Sequence, residues 1–364
     1  MGNEPLLSVL VTGGSSFVGY HIVSQILDSE PTCHVSVLDL PTPLPRFAGA
    51  TYYDVDVASK NDVQDALKKI NPRVIFHAAC TYSLSLSPST FSQINTQGTI
   101  NVLEAAQLLG VVKAFIYHSS SSVIEDGTSS VVNASETLPV LLPPHQKFPY
   151  PLSKALAESF VLSANRKYGI LTTSIRPAGA FGEADGEAME KLISVAKSGR
   201  ANMQLGDGKN VYDFVYVGNL VHAHLLAAKA LLRDSERPQN EVKDEEKVDG
   251  EAFHITNDEP WLFWGFTRAI AKAAGNPVNE NEIRVISRWG AMLMALFAEW
   301  IVWIFSFGRK EPNLTRYGVR YSTMTRTLNI EKAKRVLGYR PIFSMQEGIE
   351  RSVAWFDETD KKVL

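Results

Sequence analysis

Two features of the first half of the chain and one of the second predict an α/β fold built on a doubly wound parallel sheet. Short apolar runs of strand length alternate with segments of helical periodicity, the pattern of a parallel sheet covered on both faces. The first run ends in a glycine-rich turn, "VTGGSSFVG", and an acid closes the second. Beyond about residue 180 the pattern and composition change, which predicts a smaller C-terminal lobe. A chain of 364 residues is long enough for both units.

The elements follow in order. "LLSVLVT" reads as the first buried strand. From Phe17 to Leu27 the pattern is helical, with Phe17, Val18, His21, Ile22, Gln25 and Ile26 spaced for one face. "HVSVLDL" is the second strand and "RVIFHAA" a later one. Between them Ser59 and Asp62 have capping-box-like spacing and open a helix up to Lys69. "INTQGTINVLEAAQLLG" is a long helix closed by Gly110. "KAFIYHSSSS" is a strand running into a polar turn, "YPLSKALAESFVLSANRKYG" a helix ending at Gly169, and "TTSIRPAGAFG" the next strand. Residues 1–180 are thus expected to form the first domain. Residues 181–364 form mainly the second lobe, with elements returning to the first at about 211–232 and 251–256. "LLRDSERPQNEVKDEEKVDGE" is a solvated loop.

A formal charge of −3 offers no basic excess for a nucleic-acid partner. Two cysteines, Cys33 and Cys80, are too few for a disulfide framework and fit a reducing compartment; both read as small buried hydrophobes. The N-terminal stretch has no basic region or cleavage site of a secretory signal. No metal site is expected.

The glycine-rich turn follows a strand and opens a helix, which is where a dinucleotide pyrophosphate is held by backbone N–H groups. Gly13 and Gly19 stand where a tight turn and a close helix contact require them, with Ser15, Ser16, Phe17 and Val18 between. Close backbone approach to the phosphates falls on Gly14 or Ser16; a serine there adds a Cβ and a hydroxyl that could itself meet a phosphate. Asp39, 20 residues past Gly19, is placed for the adenosine ribose hydroxyls. An acid there repels a 2′-phosphate, so NAD is favoured over NADP. Tyr150 and Lys154 are four apart at a helix start and share a face. A tyrosine is a poor base at neutral pH unless a nearby cation favours the phenolate. The "HSSSS" strand end can set a hydroxyl beside the same substrate oxygen.

With these in register the chain resembles the extended short-chain dehydrogenase/reductases, nearly end to end. "HAA" at 77–79, "INTQGTINVLEAA", "SIRPAGAFG" and "YDFVYVGNLVHAHLLAA" match that family's blocks. "YVGNLVHAH", "GEAFHITNDEPWLFW" and "LNIEKAKRVLGYRP" are similar to its 3β-hydroxysteroid dehydrogenase branch, nearest the decarboxylating sterol-4α-carboxylate 3-dehydrogenases. The resemblance implies Tyr150 as general base, Lys154 as the holder of the nicotinamide ribose, and Ser120 as the group polarising the substrate oxygen, with Ser119 and Ser122 as alternatives. It implies Asp56 and Val57 at the adenine, Ala78 and Ala79 along the cofactor channel, Asn95 as a support, and Arg176 and Pro177 leading into the loop by the nicotinamide. Ser16 and His118 depart from the family pattern.

The implied activity is NAD-dependent oxidation of a steroid or triterpenoid 3β-hydroxyl, with loss of a C4 carboxylate. The alternatives are a dehydrogenase of a 4-unsubstituted steroid or terpenoid alcohol, a nucleotide-sugar epimerase or reductase, and a non-enzymatic dinucleotide sensor. A 19-residue apolar stretch, 289–307, carries one charge, Glu299, and three tryptophans. It is long enough to span a bilayer, yet the family blocks after it belong to the same lobe. It therefore reads as a monotopic helix at the cytoplasmic face of the endoplasmic reticulum, or else as a buried helix. The faces at 91–109 and 150–168 are where related reductases pair as homodimers.

Overall fold

The central strands are apolar on both faces, so they can only be stable sandwiched between helices. The computed structural model describes residues 5–82, 86–237, 243–306, 312 and 314–363. In chain order the first half runs β1 (Ser8–Thr12), α1 (Phe17–Ser29), β2 (His34–Asp39), β3 (Ala50–Asp54), α2 (Lys60–Ile70), β4 (Val74–His77), α3 (Pro88–Phe91), α4 (Gly98–Leu109), β5 (Ala114–His118), β6 (Val131–Ala134), α5 (Pro149–Ser163) and β7 (Leu171–Pro177). Then come β8 (Gly179–Phe181), α6 (Met189–Lys197), β9 (Met203–Leu205), β10 (Val211–Tyr212), β11 (Phe214–Tyr216), α7 (Val217–Ser235) and β12 (Ala252–Ile255). The chain closes with β13 (Trp261–Leu262), α8 (Phe263–Ala273), β14 (Arg284–Ile286), α9 (Arg288–Ser306), α10 (Arg316–Tyr321), β15 (Arg326–Leu328) and α11 (Met345–Val363).

Seven parallel strands form the main sheet in the order β3-β2-β1-β4-β5-β7-β12. The order reverses at β1, and the crevice above the carboxyl ends of β1 and β4 is where such sheets bind ligands. Alternation along β1 sends Val9 and Val11 into the core shared with α1 and α7, and Leu10 into the core shared with α2, α4 and α5. The returning elements, α7 and β12, complete the sheet from the second half of the chain. A second sheet, β13-β10-β15-β6, stands beside the carboxyl ends.

Five local readings differ from the observed structure. The first strand starts at Ser8, because Leu7 takes a left-handed φ of 62°. The helix expected from Ile94 begins at Pro88, where Ser87 accepts from Thr90 N, and it contains a wide turn over Ser92–Gln97. The helix bearing Tyr150 ends at Ser163 instead of Gly169. Asn165 and Arg166 are drawn onto the buried carboxylate of Asp249, with Arg166 at φ 63°. "TTSIRPAGAFG" is two strands: β7 stays in the main sheet, and β8 leaves it at Ala178 to pair with β11. Ser59 starts α2, but its hydroxyl bonds Asp62 Oδ2 at 2.5 Å instead of capping the backbone.

Candidate active site

The turn after β1 is built by two glycines that no other residue could replace. Gly13 has φ +72°, and a Cβ there would lie 2.5 Å from Ala79 N. A Cβ on Gly19 would lie 2.1 Å from Gly13 O, so the first turn of α1 can rest on the loop only through a glycine. Ser16 has φ −108° and ψ 166°, extended backbone open to any residue, and stands at the N-cap of α1. The serine is therefore compatible with the turn. Its Oγ donates to Asp39 Oδ2 at 3.3 Å, beside the Ser15 N–H at 2.9 Å, while Leu40 N reaches Oδ1 at 2.8 Å. Burial pushes the Asp39 carboxyl up, and these bonds act against that. The turn, the α1 N-terminus and the Asp39 carboxylate fit a dinucleotide: Gly13 packs on Ala79 and Gly19 on Gly13 O, which holds the loop tight at the start of α1, where backbone N–H groups can meet phosphates. Asp56 is exposed and accepts from Ala58 N, while Val57 is buried against Gly98.

His77, at the end of β4, is buried and neutral, its pKa brought down to about 3 first by burial and then by the Lys154 charge. Thr99 Oγ1 donates to Asn95 O, so His77 Nε2–H donates to Thr99 and Nδ1 accepts from Thr12. That chain of bonds fixes Ala78 and Ala79 beside the turn. Asn95 bonds Thr81 N, Thr81 O and Ser153 Oγ, tying the segment after β4 to α5. The wide turn at 92–97 is what carries Asn95.

Pro149 and Pro151 occupy the first turn of α5, where a missing N–H costs nothing. Tyr150 and Lys154 follow on one face. Lys154 is 1% exposed and its Nζ donates to His118 O at 2.6 Å. Burial lowers its pKa, and a hydrogen bond with Cys80 opposes the shift. Burial also pushes the Tyr150 phenol well up, partly offset by a hydrogen bond with Ser120. Cys80 is half-buried and lines the cavity, unlike the buried Cys33. The His118 ring is buried and stacked on His224, with Nδ1 3.3 Å from His224 Nε2, so a ring fits where a smaller residue is usual.

The four serines after β5 have different surroundings. Ser121 Oγ donates to Pro177 O and is held by Arg326. Ser120 Oγ accepts from Ser122 N at 3.2 Å and from Ser122 Oγ at 2.8 Å. Those two donors take its lone pairs and leave its own hydrogen for Tyr150 or a ligand. Ser119 Oγ is buried without a hydrogen-bond partner among the described residues, an atom left for a bound group. Arg176 turns away from the cavity into a buried pair with Glu158 at 2.5 Å.

One cavity of about 290 Å³ joins these groups. Ser16, Phe17 and Val18 line it from the glycine turn, together with Ala78, Ser120, Tyr150 and Pro177 and with Glu125, Tyr317, Tyr321 and Arg326. Gly13, Ser15, Gly19, Asp39, Asp56, Val57, Ala79 and Lys154 do not line it. The lining by Tyr317, Tyr321 and Arg326 was not read from the sequence, because α10 and β15 carry no motif and reach the site only through the tertiary fold.

The model of the 3-beta hydroxysteroid dehydrogenase/isomerase family matches residues 10–285, about three quarters of the chain. The chain belongs to that family. It is 36% identical to the decarboxylating sterol-4-alpha-carboxylate 3-dehydrogenase of Saccharomyces cerevisiae, over 96% of this chain and 98% of the yeast one. To the Homo sapiens protein of that name it is 34% identical, over 95% of this chain and 87% of the human one. A 3beta-hydroxysteroid-dehydrogenase/decarboxylase of Arabidopsis thaliana is 33% identical, over 95% of this chain and 79% of its own length. Among solved structures, the UDP-glucose 4-epimerase of Thermotoga maritima superposes with a TM-score of 0.72 at 22% identity, covering 97% and 99% of the two chains. That of Thermus thermophilus, in complex with NAD, gives 0.69 at 24% identity, covering 96% and 99%. At those identities the likeness is one of fold alone.

Proposed function

We propose that this protein oxidises the 3β-hydroxyl of a 4α-carboxysterol with NAD and releases the C4 carboxylate as carbon dioxide, leaving the 3-ketone. The observation that carries this reading is the meeting of Ser120, Tyr150 and the cofactor turn in one cavity, with Lys154 behind them, in a chain whose full-length relatives are named for this activity.

Bound NAD supplies the hydride acceptor and a positive charge near the phenol. Ser120 donates its free hydrogen to the substrate oxygen, and Tyr150 removes the hydroxyl proton as the C3–H bond breaks. Lys154, held by His118 O, positions the ribose and favours the phenolate. The product is a β-keto acid: the C4–carboxylate bond breaks, its electron pair forms the enolate, and a proton returns to C4. Ser120 and the now protonated Tyr150 both donate to the enolate oxygen. Asp39 supports NAD as the cofactor by repelling a 2′-phosphate.

The cavity is small for a sterol, since ligand pockets run from about 300 to 1,000 Å³. The rings would extend past Tyr317 and Tyr321 on α10, toward α9. That helix turns Ala291, Ala295 and Glu299 inward at i, i+4 spacing, and exposes Trp289, Phe297, Trp300, Trp303 and Phe305. It is therefore no buried helix; Phe307 lies outside the described residues. Glu299 accepts from Arg316 N at 2.7 Å and Arg316 Nε at 2.6 Å, so its charge is directed at α10 and away from the apolar face. We assign that face to a membrane surface, at the cytoplasmic side of the endoplasmic reticulum, from which the sterol would enter. Exposed Leu108 on α4 and Leu156 on α5 support a homodimer through those helices.

The test is NADH formation by the purified protein with a 3β-hydroxy-4α-carboxysterol and with its 4-unsubstituted counterpart, followed for carbon dioxide. Turnover of the acid with gas release is expected. Turnover of the unsubstituted sterol alone would move the assignment to a simple 3β-hydroxysteroid dehydrogenase, and NAD binding without turnover of either would overturn it.

A further inference from the structure

The cavity holds one cation that hydride transfer does not require. Arg326, on β15, is 4% exposed and lines the wall shared with Ser120, Ser122 and Tyr150. Its Nε donates to Glu125 Oε1 at 2.5 Å, Nη1 to Tyr212 OH at 2.7 Å, and Nη2 to Ser121 Oγ at 2.7 Å. A guanidinium has five N–H groups. These three bonds leave one on each terminal nitrogen. The Tyr212 and Tyr321 rings lie 5.4 and 5.9 Å from the guanidinium carbon, so the group is fixed from several sides.

Its position bears on the substrate. In a 4α-carboxysterol the carboxylate stands on the carbon next to the one that carries the reacting hydroxyl. A group that reads the carboxylate must therefore lie beside the serine that meets the hydroxyl. Ser121, which Arg326 grips, is the residue next to Ser120. Of the other buried cations among the described residues, Lys154 donates to His118 O behind Tyr150 and Arg176 is paired with Glu158 away from the cavity. Asp185, the remaining charged group in the wall, accepts from the N–H groups of Glu187, Ala188 and Met189 and has nothing to offer an anion. Planar N–H pairs of a guanidinium match a carboxylate in geometry as well as charge.

We propose that Arg326 is a specificity-determining residue that binds the C4 carboxylate of the substrate through the N–H groups left over by Glu125, Tyr212 and Ser121. This rests on the carboxysterol reading above. Glu125 shares the cavity wall, and burial pushes its carboxyl up while Arg326 holds it down. It is thus the group placed to take up a proton when a second carboxylate arrives, which keeps the cluster from carrying two uncompensated negative charges. A sterol with hydrogen at C4 gains nothing from Arg326.

The experiment compares kcat/KM for the 4α-carboxysterol and its 4-unsubstituted counterpart, in the wild type, in Arg326→Lys, and in the double variant Arg326→Met with Glu125→Gln. The double variant removes both charges together, so no lone buried ion is left. The ratio of the two efficiencies, acid over unsubstituted, is expected to fall at least about 10-fold in the double variant, mainly through KM for the acid, and less in Arg326→Lys. Equal losses on both sterols, with the ratio within about threefold of wild type, would make Arg326 a structural residue and overturn the proposal. Should the double variant fail to fold, Arg326→Lys decides alone: it keeps the charge but loses the planar pair, and an unchanged ratio there counts against the proposal. A wild type idle on the acid would overturn the carboxysterol reading itself, a result distinct from a preserved ratio.

Discussion

Replacing Asp39 by asparagine gives the sharpest test of the cofactor site. The Asp39 carboxylate lies against the glycine turn, accepting Ser15 N at 2.9 Å and Leu40 N at 2.8 Å, so it is fixed where an adenosine ribose would rest. Two unit charges about 4 Å apart repel by about 4 kcal/mol at an effective dielectric constant of about 20. A phosphate monoester carries about 1.5 to 2 charges, and halving the product for solvent at the half-buried carboxylate leaves about 3–4 kcal/mol. The wild type should therefore prefer NAD to NADP by a few hundred-fold in kcat/KM, at roughly 1.4 kcal/mol per factor of ten. Asp39→Asn removes the repulsion but retains a single carbonyl acceptor. NAD efficiency should fall about tenfold through the lost ribose bond, NADP efficiency should rise by about a hundredfold or more as the repulsion goes, and the ratio should collapse by about a thousandfold or more. The pH dependence has a definite sign. Repulsion belongs to the ionised carboxylate, whose pKa burial raises, so the preference holds above that pKa and fades as pH falls through it. Steady-state rates with both cofactors across pH measure this. A ratio that moves less than about threefold on Asp39→Asn would refute the placement of the ribose.

Other variants probe the rest of the site. Tyr150→Phe should lower turnover by about 10²–10⁴-fold, the usual share of a general base, while NADH binding followed by fluorescence stays near wild type; appreciable turnover would remove the tyrosine from its role. Ser122→Ala deletes the 2.8 Å donor that orients Ser120 and should cost about tenfold in kcat with little change in KM, with Ser122→Thr restoring most of it. A KM effect alone would count against the orienting role. Glu158→Ala leaves the Arg176 guanidinium buried without its partner and should destabilise the fold by about 3–5 kcal/mol in denaturant unfolding; a loss under about 1 kcal/mol would mean that water replaces the carboxylate. Exchanging Trp300 and Trp303 for glutamate should release the protein from sedimenting phospholipid vesicles while turnover of detergent-dispersed sterol continues, whereas unchanged partitioning would count against a membrane face.

How much of this was legible beforehand depends on whether a local backbone demand or a distant contact chose the residue. Gly13 and Gly19 were readable because a left-handed φ and a backbone oxygen at 2.1 Å exclude any Cβ, and such demands leave glycine in the sequence whatever surrounds them. Tyr150 and Lys154 were readable because one helix sets their spacing. Ser16 looked like a defect only so long as the second glycine of the turn was assumed to answer a similar demand. Its φ of −108° shows that it does not, and its hydroxyl instead meets the acid at the end of β2. The break at Ala178, the early end of α5 at Asn165–Arg166 and the seating of Arg326 have no such local signature. Each is set by a partner 35 or more residues away: β11 for the strand, Asp249 for the helix end, and Glu125, 201 residues back, for the arginine. The residues proposed for the cofactor and for the reacting hydroxyl are of the first kind, and Arg326, proposed for the C4 carboxylate, is of the second. A dinucleotide site can therefore be proposed from spacing alone, whereas the proposed reader of the sterol carboxylate comes into view only when the folded lobe brings Arg326 to the cavity.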